Sequence, residues 1–137
     1  MIGILIIAHG TLGDSLIHCA NHVFGGPLAQ LAQFGVAVHD TPTTLLPQVQ
    51  KLIGELDSGG GVLVLTDMYG ATPSNLACRL VEPARVECVA GINLPMLVRA
   101  LTYRNESLET VAQKALSGGR EGVVHVTQEA CDVTTRH

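Results

Sequence analysis

Met1-Ile2-Gly3-Ile4-Leu5-Ile6-Ile7-Ala8-His9-Gly10 opens the chain. Residues 2–8 contain no polar side chain and are dominated by Ile and Leu. A strand with one face in water alternates apolar and polar residues. An unbroken apolar run instead fits a strand buried on both faces, as in a parallel sheet covered by helices. The run is far shorter than the roughly 20 apolar residues that span a bilayer. It has no basic leader and is cut by His9-Gly10, so it reads as a first β-strand and not as a signal peptide. No other run approaches membrane-spanning length, and the expectation is a soluble cytoplasmic protein without membrane insertion.

Outward from this strand, apolar runs alternate with helical patterns. Leu12–Phe24 reads as a helix that Gly25-Gly26-Pro27 stops. Residues 35–39 read as a short second strand. A helix follows over about 44–56, in which Pro47 is tolerable only within the first turn. Ser58-Gly59-Gly60-Gly61 turns the chain into a third strand at 62–66. Thr72-Pro73 suits a helix start, and that helix is expected to reach about 81. A fourth strand occupies 86–90. Helices follow at 95–103 and 108–116, the second ended by Gly118-Gly119. Residues 122–127 read as a short final strand and 128–137 as a loose polar tail. The pattern predicts an α/β fold: a doubly wound, mainly parallel four-stranded sheet with helices on both faces and a short C-terminal strand. It forms one domain over residues 1–127, with the tail outside it.

Composition narrows the function classes. Hydrophobic residues make up 47% of the 137, so a packed core is expected; aromatics are only 3%, so that core is aliphatic. Eight basic against twelve acidic side chains give a formal charge of −4, which argues against nucleic acid as a partner. Cys19, Cys78, Cys88 and Cys131 form no Cys-x-x-Cys pair, so no zinc ribbon or thioredoxin motif is indicated. Cys19 and Cys78 fall in apolar helical stretches and read as small buried hydrophobes. His18 and His22 stand four apart on the first helix, but without a third ligand they read as a solvated face. No metal or cofactor is expected.

In parallel α/β sheets, chemistry sits beyond the carboxyl ends of the strands. Strand one ends in His9-Gly10, strand three in Asp67-Met68-Tyr69-Gly70-Ala71-Thr72, strand four in Gly91-Ile92-Asn93. If strands one and three are neighbours, His9 and Asp67 share a crevice. A carboxylate that accepts one imidazole N–H fixes the tautomer and leaves the other nitrogen nucleophilic, which suits phosphoryl transfer. Gly10, Gly70 and Ala71 let backbone N–H groups approach an anion, and the Thr72 hydroxyl can donate to it. Each feature also has an ordinary reading: a surface histidine, a turn aspartate, a common strand-to-helix turn.

Together these segments resemble the IIA component of the mannose family of the bacterial phosphoenolpyruvate-dependent sugar phosphotransferase system (PTS). The resemblance spans about residues 1–126. It rests on His9-Gly10, on Thr66-Asp67-Met68-Tyr69-Gly70-Ala71-Thr72-Pro73-Ser74-Asn75, on Gly91-Ile92-Asn93-Leu94-Pro95-Met96-Leu97, and on Gly119-Arg120-Glu121-Gly122. It implies a phosphotransferase in which the carrier protein HPr phosphorylates His9 on Nε2, Asp67 holds Nδ1, and Thr72 stands beside the phosphoryl group. The group then passes to a IIB component, here a separate chain, in sugar uptake or in PTS-linked regulation. It also implies a homodimer that exchanges the last strand. Tyr69 stands where some relatives carry Trp, and the tail lies outside the pattern. Tyr69 and Met68 are the expected docking residues, with Pro95-Met96 beside them. The rival readings are a tetrapyrrole metal chelatase, which also opens on a strand ending in His-Gly, and a module that senses phosphorylation state. A chelatase needs a second His or Glu at a later strand end, where this chain offers Asp67 and Asn93.

Overall fold

The first ten residues fold as their composition dictates. In a computed structural model that describes residues 1–135, strand β1 (Gly3–His9) lies inside the sheet, with Ile4, Leu5, Ile6 and Ile7 fully buried. The other elements follow as α1 (Leu12–Phe24), β2 (Leu31–Val36), α2 (Pro42–Leu56), β3 (Val62–Thr66), α3 (Thr72–Cys78), β4 (Val86–Ala90), α4 (Leu94–Thr102), α5 (Leu108–Glu121) and α6 (Gln128–Thr135). The strands pair in the order β2-β1-β3-β4, all parallel, so strands one and three are neighbours as expected.

Alternation along β1 and β3 divides the core. Ile2, Ile4, Ile6 and Ala8, with Leu63 and Leu65, pack beneath α1, α4 and α5. Leu5 and Ile7, with Val62 and Val64, pack beneath α2 and α3. Polar groups are therefore excluded from both strands until they end, which concentrates them at the carboxyl rim.

Several elements differ from their expected bounds. The second strand is Leu31–Val36, not 35–39. Asp40 Oδ2 accepts the Ala37 N–H (2.8 Å) and closes a turn that lifts Val38 and His39 off the sheet. Helix α2 starts at Pro42, so Pro47 lies inside it and not in its first turn. The buried stripe Leu45, Val49, Ile53 and Leu56 holds the helix through the proline, which costs one backbone hydrogen bond. Helix α3 stops at Cys78, short of 81, and tight turns then carry the chain to β4. Cys19 and Cys78 are exposed, not buried: each lies on the outward side of its helix.

Helix α5 does not stop at the double glycine but runs through it to Glu121. A Cβ on Gly118 would lie 2.8 Å from Arg99 Cβ, and one on Gly119 would lie 2.6 Å from Met96 Cε. The glycines therefore let α4 and α5 approach closely. Asn93 fastens the same contact: its Oδ1 caps α4 through the Met96 N–H, and its Nδ2 donates to the Gly119 carbonyl. Residues 123–127 form no strand in this chain, and Val123, Val124 and Val126 are exposed. The tail is not loose over its first part, since Gln128–Thr135 is helical; residues 136–137 lie outside the described residues.

On propensity alone, Gly118→Ala in a helix interior should stabilise by about 1 kcal/mol. The contact with Arg99 reverses that sign: we expect a lower urea midpoint at an unchanged m-value. A raised midpoint would mean that the helix packing is looser than the geometry requires.

Candidate functional site

The site begins where the two inner strands run out of apolar residues. Ile7 pairs with Thr66, so His9, two residues further along β1, and Asp67, the first residue after β3, emerge at the same end of neighbouring strands. Asp67 Oδ2 accepts two hydrogen bonds from one residue: the His9 backbone N–H at 2.9 Å and His9 Nδ1 at 2.7 Å. The Met68 N–H donates to Oδ1 at 2.8 Å. The His9 side chain is 52% exposed and that of Asp67 only 13%, so the carboxylate is the buried anchor and the ring is the presented group.

Burial alone would push the Asp67 carboxyl up. The bonds from the His9 backbone, the His9 ring and the Met68 N–H outweigh it and hold the group below its usual range. The carboxylate is therefore ionised at neutral pH and can only accept. Nδ1 must then carry the proton in the neutral ring, and Nε2 keeps its lone pair on the solvent side.

The surrounding loops are built to let an anion come close. Gly10 and Gly70 both have positive φ (54° and 86°), which other residues adopt only under strain, and a Cβ on either would meet nothing within 4 Å. Ala71 is the N-cap of α3, and Thr72 is half-buried at its start. Pro73 contributes no N–H. The structure thus brings Gly10, Asp67, Gly70, Ala71 and Thr72 to the same rim as His9.

Four large apolar side chains stand exposed at this carboxyl end: Leu12, Val38, Met68 and Tyr69. Tyr69 is 84% exposed and Val38 93%. Pro95 is exposed nearby, whereas Met96 is buried and belongs to the core. Sequence reasoning missed Leu12 and Val38. Val38 lies beyond the true end of β2, in the turn that Asp40 closes by accepting the Ala37 N–H. Among the described residues, no three His, Cys, Asp or Glu side chains converge as a metal site, and His18 and His22 are exposed on α1. Among these residues, no helix is long and apolar enough to cross a membrane.

The fold agrees with that of solved relatives of the chain. The chain is 32% identical over 125 residues to the mannose-specific EIIAB component of the PTS of Escherichia coli strain K12, across 89% of this chain but only 38% of that protein. The chain thus spans well under half the length of that relative. It is 26% identical to the fructose-specific EIIA component of Bacillus subtilis, over 96% of this chain and 87% of that one. The crystal structure of PTS component EIIA from Streptococcus agalactiae superposes with a TM-score of 0.80 at 25% identity, covering 91% of this chain and 97% of that one. The mannose/sorbose-specific IIA subunit from Enterococcus faecalis shares the fold, with a TM-score of 0.81 at 22% identity, over 92% and 95% of the two chains. The family model EIIA-man, described as PTS system fructose IIA component, matches residues 3–116, and the chain belongs to that family.

Proposed function

We propose that the chain is a cytoplasmic phosphocarrier: His9 takes a phosphoryl group from HPr and passes it to a IIB component. The single observation that supports this most directly is the 2.7 Å bond between His9 Nδ1 and Asp67 Oδ2, which leaves Nε2 free and facing solvent.

The chemistry follows from that bond. The Nε2 lone pair attacks phosphorus. The bond from phosphorus to the donor breaks, and its electron pair leaves on the donor. Positive charge grows on the ring as the new P–N bond forms. The Asp67 carboxylate, still accepting the Nδ1–H, stabilises that charge without taking the proton. Thr72 and the backbone around Gly10, Gly70 and Ala71 receive the phosphoryl oxygens. The reverse displacement, with a IIB nucleophile attacking the same phosphorus, returns His9 to its starting tautomer. Two partners must each reach Nε2, and the exposed Tyr69 and Met68, joined by Leu12 and Val38, supply an apolar docking rim. The working domain is residues 1–127, with the tail outside it.

We also read the chain as half of a homodimer. β4 forms an outer edge of the sheet, five residues long, and the five residues 123–127 lie outside any helix or strand with three exposed valines. Pairing that segment with the β4 edge of a second copy would cover both features.

Two measurements test these readings. Incubated with phosphorylated HPr, the protein should gain one acid-labile phosphoryl group, and His9→Ala should stay folded and gain none. Asp67→Asn should slow transfer about 100-fold, typical of losing a positioned acid–base partner; label on another histidine, or an unaltered rate in Asp67→Asn, would overturn the roles assigned. Light scattering at micromolar concentration should give about twice the 14.4 kDa chain mass, falling to one chain when the protein is truncated after Gly122. A monomeric full-length protein would contradict the exchange.

A further inference from the structure

The far end of α3 carries side chains that phosphoryl transfer does not use. Cys78 is the last residue of that helix, and Cys88 is the middle residue of β4. Both are free thiols. The chain between them reverses on itself. Glu82 and Val86 form an antiparallel bridge: the Glu82 N–H donates to the Val86 carbonyl at 3.0 Å, and the Val86 N–H to the Glu82 carbonyl at 2.8 Å. Ala84 stands at the turn with positive φ (67°). The reversal brings β4 back alongside the end of α3, and the two elements pack together.

Strand alternation puts both thiols on one face of the sheet. Val86 and Cys88 pack against the α2–α3 layer, whereas Val89 packs on the other side. Leu76, Ala77 and Leu80, which flank Cys78 in sequence, are buried in that same layer. Cys78 itself is exposed, and Cys88 is half-buried. The nearness of the two sulfurs also shows in their electrostatics. The Cys88 thiol is pushed up to about 12, first by burial, then by negative charge at Cys78 and at Glu87. Cys19, by contrast, lies on α1, which covers the opposite face.

We propose that Cys78 and Cys88 are a thiol–disulfide modification site, in which Cys78 captures a small-molecule disulfide and Cys88 resolves it. The Cys78 thiolate attacks one sulfur of the small disulfide. A mixed disulfide forms on Cys78, and the other half leaves as a thiolate that takes up the proton Cys78 released. The Cys88 thiolate then attacks Cys78 Sγ. The second small thiol leaves with the Cys88 proton, and a Cys78–Cys88 bond remains. The chain has lost two hydrogens, and the small disulfide has been reduced to two thiols. The order follows from access: the exposed thiol meets the reagent, and the half-buried one, which holds its proton tightly, does not. This inference needs only the two sulfurs and is independent of the phosphocarrier reading. The bond ties down the far end of the helix whose first residue, Thr72, stands at the His9 rim.

The test treats the folded protein with oxidised glutathione and identifies the state of each cysteine by mass spectrometry of peptides prepared without reduction. The wild type should pass through a mixed disulfide at Cys78 and then yield a Cys78–Cys88 bond within one chain, reversed by dithiothreitol. Cys88→Ser should stop at the mixed disulfide. In Cys78→Ser, Cys88 should capture glutathione at least about tenfold more slowly than Cys78 does in Cys88→Ser. A raised thiol pKa lowers the reactive fraction by more than it raises nucleophilicity. Three results would overturn the proposal. One is a mixed disulfide at Cys78 that lives as long in the wild type as in Cys88→Ser. Another is a bond that joins either cysteine to Cys19, to Cys131 or to a second chain in place of its proposed partner. The third is equal capture rates in the two single variants.

Discussion

One carboxylate oxygen organises the rim of this protein. Asp67 Oδ2 accepts both the backbone N–H and the ring Nδ1 of His9, so the position and the tautomer of the ring are fixed by the same atom. The contact can form only because β1 and β3 are neighbours and end together, and they are neighbours because each needs apolar cover on both faces. The buried run at residues 2–8 is thus the remote cause of the geometry at Nε2. A one-residue slip of β1 against β3 would turn His9 toward the α1 side and separate the pair.

Much of this was legible in the sequence, where one physical rule dominated. The inner strands β1 and β3 read correctly because a run without charged residues admits few alternatives; β3 falls at 62–66 as expected, and the edge strand β4 at 86–90. Helix α1 read correctly because its amphipathic stripe ends on a glycine with positive φ. Errors arose where two rules competed. At Gly118-Gly119 the glycine signal said stop, but close approach of α4 was the reason for those residues. At Pro47 the proline signal said boundary, but four buried apolar side chains held the helix. In β2, an edge strand with Gln33 at its middle, no clear alternation marked the register, and Val38 beyond it looked like strand.

The candidate site divides in the same way. His9 and Asp67 were legible because a polar residue at the end of a buried strand is conspicuous. Val38 and Leu12 were less legible, because an exposed apolar residue gains meaning only at a rim it shares with others, and that rim is built from three separate strand ends.

On the proposed phosphocarrier reading, the contrast between Asp67 and its surroundings gives one site the means to serve two partners. The carboxylate is mostly buried, accepts three hydrogen bonds and is held below the usual carboxylate range, so the tautomer it sets does not depend on what docks. The side chains of the proposed docking rim, Tyr69, Met68, Val38 and Leu12, are exposed and uncharged. Apolar contact is non-directional, and Met in particular adapts its shape, so these residues accept different surfaces without altering the ring they surround. Specific chemistry is therefore placed in rigid groups at the strand ends, and recognition in pliable ones on the loops. A charged rim would couple the two. A cation beside Asp67 would compete for Oδ2, loosen the hold on Nδ1 and expose the tautomer to each partner in turn, whereas an apolar rim leaves the carboxylate with His9 and Met68 as its hydrogen-bond donors.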